Sequence, residues 1–159
     1  MVDSRDKGKR GEYQVRDILR KHTGLNWERV PGSGGFSASH GLKGDIYVPG
    51  ADVLHCIEVK HYADDTINSL LLKNPDNQLA KFWAQTRREA DQINKKPLLI
   101  FKKDRGQWLV ATREADSILP ELVYTNEFRE TIHQEAEMDT LYIYLFSSWL
   151  ENKKTEYFV

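Results

Sequence analysis

With 159 residues, the chain is long enough for one domain with a substantial hydrophobic core, and its 40% hydrophobic and 30% charged residues are typical of a globular protein. No apolar run is long enough to cross a bilayer, and residues 1–21 lack the apolar stretch of a secretory signal, so we expect no membrane partner. The single cysteine, Cys56, excludes an internal disulfide and favours a reducing, cytoplasmic location.

Charge is distributed unevenly along the chain. Residues 1–113 carry 20 basic and 14 acidic side chains, whereas residues 114–159 carry 3 and 10. This asymmetry is compatible with a basic face that binds nucleic acid and an acidic region turned away from it. A surface with uneven charge and no such partner explains the counts equally well. Charge alone therefore leaves the partner open.

The first part of the chain predicts a helix, a short strand and a glycine-rich loop. Residues 5–22 carry apolar side chains at helical spacing, Tyr13 among them. Residues 26–30 predict a short strand that leads into the glycine-rich segment 31–35. The other face of the predicted helix is basic, with Lys7, Lys9, Arg10, Arg16 and Arg20.

The middle of the chain predicts a hairpin followed by a long helix. Two strands, at residues 45–48 and 53–61, are separated by a proline- and glycine-containing turn. Asn77 then opens a helix with apolar residues at helical spacing, and this helix ends before Pro97. A connection of this kind, from a strand through a helix, is typical of an α/β domain.

The last part of the chain is less regular. Residues 97–101 and 107–112 predict two strands, residues 126–137 predict a helix, and residues 141–146 fit either a strand or the start of a helix. The order of elements predicts a single α/β domain over residues 1–159, with helices packed on a central mixed sheet.

Two carboxylates and an ammonium group are predicted to meet on the hairpin. Glu58 and Lys60 are two residues apart in a strand, so they share a face, while Ile57 and Val59 point to the opposite face. Asp45 opens the preceding strand and would lie beside Glu58. Two oxygen ligands completed by water are how proteins usually hold Mg²⁺. The alternative is an exposed strand with an ordinary ion pair, which contributes little to stability.

These residues resemble a known signature. Lys43-Gly44-Asp45 followed by Ile57-Glu58-Val59-Lys60 is similar to the motif of the PD-(D/E)xK nuclease superfamily, which lies on a hairpin behind an N-terminal helix. The basic segment 7–12, and the strand with Arg29 that leads to Ser33, resemble the archaeal and phage-type Holliday junction resolvases within that superfamily. The resemblance covers roughly residues 5–113 and implies a restriction-endonuclease-like core. The segments 34–44 and 62–74 are longer than in the archaeal enzymes.

The resemblance also implies a role for each matching residue. Asp45, Glu58 and the backbone carbonyl of Val59 would be ligands of Mg²⁺, for which Mn²⁺ can substitute, and Glu12 would complete the acidic cluster. Lys60 would position the attacking water. The catalytic set is therefore expected to be Glu12, Asp45, Glu58 and Lys60. The residues expected to contact DNA are Lys7, Lys9, Arg10, Arg29 and Ser33.

The expected function is that of a Mg²⁺-dependent endodeoxyribonuclease that acts as a homodimer on four-way DNA junctions in recombination and repair. One alternative is a duplex- or flap-cutting nuclease of repair or restriction type from the same superfamily. Another is a DNA-binding module that keeps the fold but does not cut, and the intact Asp45, Glu58 and Lys60 weigh against it. Gln78 and Gln85 on the long helix fit its surface better than they fit a supporting role at the site.

Overall fold

The computed structural model describes residues 4–31, 41–63, 77–128 and 137–159 of the chain. The helices in these ranges are α1 (Ser4–Thr23), α2 (Gln78–Gln92) and α3 (Phe146–Glu151), followed by a short 3₁₀ helix (Thr155–Tyr157). The strands are β1 (Glu28–Arg29), β2 (Ile46–Tyr47), β3 (His55–Tyr62), β4 (Lys96–Lys103), β5 (Leu109–Thr112), β6 (Leu122–Phe128) and β7 (Glu137–Leu145).

The strands form one mixed sheet in the order β1-β2-β3-β4-β5-β7-β6. Strands β3 and β4 are parallel and pair along their whole length, from His55 with Lys96 to Tyr62 with Lys103. The other neighbouring strands are antiparallel. The short strand β2 pairs with β3 through Ile46 and Ile57.

Side chains alternate across the sheet and form a core on each face. On one face, Val15 and Leu19 of α1 pack with Ile57 and Val59 of β3 and with the fully buried Trp27. On the other face, a second core packs α2 against β4, β5, β6 and β7, with Leu79, Trp83, Leu99, Phe101 and Ile143. The sheet is therefore covered by helices on both sides, and the predicted α/β class with a central mixed sheet is confirmed.

Most predicted elements of the first 113 residues are confirmed. The predicted helices appear as α1 and α2, and the five predicted strands appear as β1 to β5, with ends that differ by a few residues. Tyr13 is an exception to the predicted apolar stripe, because its side chain is 42% exposed. No helix within the described ranges is long and apolar enough to span a membrane.

The helix predicted at residues 126–137 is wrong where the structure describes it. Residues 126–128 belong to β6 and residue 137 begins β7, while residues 129–136 lie outside the described part of the chain. The charged residues of this segment suit a helix, but pairing with β7 and burial of Tyr124 and Leu141 favour strands. Of the two alternatives for residues 141–146, the strand is confirmed for residues 141–145, because β7 ends at Leu145, and a helix begins only at Phe146.

The turn into β2 depends on Gly44. Its backbone has a φ of +82°, and a Cβ atom at this position would lie 2.7 Å from the Ile57 carbonyl oxygen and 3.1 Å from Cys56 Sγ. Only glycine combines this backbone conformation with so close an approach to β3. Gly24 has a similar φ of +75°, but a Cβ atom there would meet nothing within 4 Å.

Replacing Gly24 and Gly44 with alanine, one at a time, should separate the cost of the left-handed backbone from the cost of the close approach to β3. Gly24→Ala should lower the free energy of unfolding by about 1 kcal/mol, because only the left-handed backbone is penalised. Gly44→Ala should lower it by roughly 2–5 kcal/mol, because the collision with β3 is added. Urea unfolding of both variants would measure the difference. Equal losses would show that the approach to β3 imposes no constraint.

Candidate active site

Asp45 is held in place by both its backbone and its side chain. Its N–H donates to the Ile57 carbonyl at 2.8 Å, and its carbonyl accepts from the Val30 N–H at 2.9 Å. The carboxylate accepts a hydrogen bond from the Val59 N–H at 2.8 Å. These three bonds fix the Asp45 carboxylate against β3, beside Glu58.

Glu58 is buried although it lies on the face of β3 predicted to carry the chemistry. It is 2% exposed, and it forms an ion pair with Lys60, whose Nζ lies 3.7 Å from Glu58 Oε2. The Lys60 ammonium also lies 5.6 Å from the centre of the Phe82 ring of α2. The structure thus brings Asp45, Glu58 and Lys60 together, with α2 covering this part of the sheet.

Glu89 of α2 is a third carboxylate at this place, and the sequence prediction missed it. Its side chain interacts with that of Glu58, and its Oε1 accepts a hydrogen bond of 3.4 Å from Gln85 Nε2. Among the described residues, no group donates a hydrogen bond to the buried Glu89 Oε2. The spacing of Phe82, Gln85 and Glu89 on one helical face was the available signal, but it does not reveal which part of the sheet that face covers.

The proximity of these carboxylates changes their acidity. Burial and, after it, the charge of Glu12 together raise the pKa of Asp45 to about 7. Burial also raises the pKa of Glu58 well above its usual value, and the neighbouring Asp45 adds to this effect. Burial opposes ionisation of Glu89 as well, but hydrogen bonds from Glu58 and Gln85 hold the pKa of Glu89 below its usual value. Full ionisation of the cluster therefore requires additional positive charge.

The chemistry of these donors fits a divalent cation with hard oxygen ligands. Within the described ranges, no three His, Cys, Asp or Glu side chains are grouped so that they could hold a metal ion by themselves. Val59 offers a backbone oxygen in addition: its N–H faces Asp45, and the N–H and C=O of one strand residue point to the same strand edge. Two carboxylates, a carbonyl and water form a set that suits Mg²⁺.

Glu12 reaches the site from α1 but is already paired. Arg29 Nε donates to Glu12 Oε2 at 2.6 Å, and the charge of Glu12 acts on Asp45. The close approach of α1 is possible because of Gly11, where a Cβ atom would lie 3.3 Å from both His61 Cβ and the Trp108 ring. The position of Glu12 agrees with its predicted place in the acidic cluster, and its role as a metal ligand stays a prediction.

The residues predicted to bind DNA occupy different environments. Lys7 forms an ion pair of 2.7 Å with Asp104 in the turn after β4, so its charge is balanced within the fold. Lys9 and Arg10 are exposed on α1. Arg29 lies at the entrance to the acidic cluster through its bond to Glu12. Ser33 lies outside the described residues.

The raised pKa of Asp45 predicts how stability depends on pH when no metal is present. The folded protein holds this proton up to about pH 7, whereas an unfolded Asp loses it near the ordinary pKa of 3.8, so stability is lost as the pH rises between the two values. Asp45→Asn should therefore raise the free energy of unfolding at about pH 8 by on the order of 2 kcal/mol and change it little at about pH 4.

Asp52 provides the matched control for this measurement. Its side chain is 87% exposed and pairs with Lys95 at the surface, so Asp52→Asn should bring no gain at either pH. Urea unfolding in a chelating buffer would give the values. A variant Asp45→Asn that is no more stable than the unchanged protein at the higher pH would contradict the burial of a repelled charge.

Comparisons with known proteins agree with this geometry. A protein-family model described as "Phage putative PDDEXK endonuclease" matches residues 3–159. The chain is 52% identical to "Protein D14" of Escherichia phage T5 over 158 residues, which cover 98% of this chain and 96% of that protein. No solved structure matches the chain. The chain therefore belongs to the PD-(D/E)xK endonuclease family.

Proposed function

We propose that the protein is a Mg²⁺-dependent endodeoxyribonuclease that cuts four-way DNA junctions as a homodimer. The observation that carries the chemistry is the half-buried Asp45 carboxylate held beside the buried Glu58, with the Lys60 ammonium 3.7 Å from Glu58 Oε2. An acidic cluster of this kind has no evident role in stabilising the fold, because burial disfavours its charge. A bound cation would offset the negative charge of these carboxylates and could also bind a phosphate of the substrate.

Asp45, Glu58 and the Val59 carbonyl would hold the Mg²⁺, and Mn²⁺ would replace it. When bound, the metal supplies positive charge that stabilises the negative charge developing on the scissile phosphate and makes a neighbouring water more acidic. Glu12 adds negative charge from the α1 side and keeps Arg29 at the edge of the cluster through their 2.6 Å bond.

Lys60 contributes a charge that the substrate can reach. Its side chain is 25% exposed, whereas that of Glu58 is 3% exposed, so the ammonium lies between the buried carboxylate and solvent. From there Lys60 can donate a hydrogen bond that orients the attacking water, and it can offset charge on phosphorus. As the water oxygen bonds to phosphorus, the bond from phosphorus to the leaving sugar oxygen breaks; the water gives up its proton to solvent, and the leaving oxygen takes up a proton from solvent.

DNA would approach from the α1 side. Lys9 and Arg10 are exposed there, and Arg29 is fixed beside the acidic cluster. Ser33 is a further predicted contact. Because Lys7 is paired with Asp104, we expect it to hold α1 against the β4–β5 turn and to contribute less to DNA binding than Lys9 and Arg10.

The choice of a junction and of a dimer rests on the resemblance of the α1 and β1 segments to the resolvases. Symmetric cuts on opposing strands need two sites related by a two-fold axis. Strand β6 lies at the edge of the sheet, with Val123 and Leu122 exposed, and an edge strand of this kind can pair antiparallel with its own copy. The alternative is a duplex- or flap-cutting enzyme of the same family, and the substrate panel described next distinguishes it from a junction-cutting enzyme.

A substrate panel tests this proposal. With Mg²⁺ and equal concentrations of a mobile four-way junction, a flap and a linear duplex, we expect the junction to be cut fastest, with symmetric nicks on opposing strands. A rigid dimer reads the separation of the two backbones without reading bases, which explains the preference. Sedimentation at the assay concentration should show a dimer. Equal cutting of the linear duplex, or a monomer, would favour the duplex- or flap-cutting alternative.

Variants of the site show whether these residues perform the chemistry. Asp45→Asn, Glu58→Gln and Lys60→Ala should each abolish cutting of every DNA in the panel while the protein stays folded and bound to DNA. Asp52→Asn, which changes an exposed carboxylate, should cut normally. Substantial cutting by two of the three site variants would exclude the proposed site whatever the substrate preference.

A further inference from the structure

Tyr13 is an aromatic side chain that the fold does not use for its core. It follows Glu12 on α1, and its 42% exposure contrasts with the complete burial of Val15 and Leu19 on the same helix. A tyrosine in the hydrophobic stripe would be expected to pack against the sheet. The ring instead lies at the surface, beside a residue of the acidic cluster.

Two guanidinium groups lie over this ring. The Cζ atom of Arg16 is 4.7 Å from the ring centre and that of Arg29 is 5.0 Å away. Arg29 Nη1 lies 3.4 Å from the Tyr13 hydroxyl oxygen, and its Nε is bonded to Glu12. Tyr13 thus holds two cations close together, and one of them is connected directly to the acidic cluster.

An exposed aromatic ring with two half-buried guanidinium groups beside it has the chemistry that recognises a nucleotide whose base is not stacked in a helix. Aromatic rings and guanidinium planes stack on bases, and guanidinium groups donate paired hydrogen bonds to phosphate. A base inside a regular duplex already has neighbours on both faces and is not available for such stacking. A base at a branch point, at a bulge or in a single strand is available.

We propose that Tyr13, together with Arg16 and Arg29, binds an unstacked nucleotide next to the phosphate that is cut. This inference rests on the proposed function and specifies its substrate as DNA in which a nucleotide beside the cleavage position is unstacked. The bond from Arg29 to Glu12 places this surface at the acidic cluster, so the nucleotide and the scissile phosphate would be close neighbours.

Binding to two DNAs tests the inference without any cleavage. The DNAs are linear duplexes that differ by one unpaired 2-aminopurine, and Ca²⁺ replaces Mg²⁺. Affinity is measured by fluorescence anisotropy of an end label, and stacking by the 2-aminopurine emission. The unchanged protein should bind the bulged DNA more tightly and quench its emission. Tyr13→Leu should weaken binding to the bulged DNA roughly tenfold and remove the quenching, while binding to the paired duplex changes by about twofold or less.

Tyr13→Phe and Leu119→Ala are the matched controls. Phenylalanine keeps the ring and loses only the hydroxyl, so Tyr13→Phe should bind and quench like the unchanged protein. Leu119 is an exposed apolar residue that precedes β6, at the opposite edge of the sheet from β1, and Leu119→Ala should change neither affinity.

Two results would overturn the inference. If Tyr13→Leu weakened binding to the bulged and the paired DNA equally, the ring would only order Arg16 and Arg29 for phosphate binding. If the variant bound both DNAs as tightly as the unchanged protein, the nucleotide would bind elsewhere. Since both readouts are taken without cutting, they stand apart from the proposed function, which fails if two of the three site variants still cut DNA.

Discussion

The half-buried Asp45 carboxylate and the buried Glu58 carboxylate lie side by side at β3, where both lose water that would stabilise their charge. The charge of Glu12 opposes ionisation of Asp45, and the charge of Asp45 opposes ionisation of Glu58. The fold holds them there through backbone interactions. The Val59 N–H fixes the Asp45 carboxylate, and Gly44 allows the chain to pass close enough to β3 for this bond to form. Pairing of β3 with β4 over eight residues keeps Glu58 in register. The burial of these carboxylates destabilises the fold, and the apolar burial in the two cores, where Trp27 and Trp83 are fully buried, offsets this cost.

The elements around the carboxylates supply charge from two directions. From α2, Glu89 adds a third carboxylate behind Glu58. From α1, Glu12 adds another, and Arg29 balances it and carries positive charge to the surface. This order, with acid inside and guanidinium groups outside, suits a site that attracts the phosphates of DNA and admits one of them to a metal-binding cluster. The same α1 surface carries Tyr13, so under the proposed function one helix would serve both the positioning of the substrate and its chemistry.

The residues of the hairpin could be predicted because they depend on local periodicity. Alternation in β3 places Glu58 and Lys60 opposite Ile57 and Val59, and the structure has this arrangement.

The missed features depend on contacts between distant parts of the chain. The pairing of Lys7 with Asp104 joins residues 97 positions apart, and Glu89 meets Glu58 only because α2 packs on β3. Strand β6 and the start of β7 were missed because their charged residues suit a helix, and pairing in the sheet overrides that preference. Tyr13 was placed in the apolar stripe of the first helix because helical spacing does not show where the covering sheet ends.

We propose above all that Asp45 and Glu58 are ligands of one divalent cation. The most direct measurement is anomalous X-ray diffraction from crystals of the protein grown with Mn²⁺. We predict one anomalous peak within coordination distance of the Asp45 and Glu58 carboxylates and the Val59 carbonyl. Crystals of Asp45→Asn should show no such peak. A peak at other residues, in a protein that cuts DNA with Mn²⁺ in solution, would contradict this proposal.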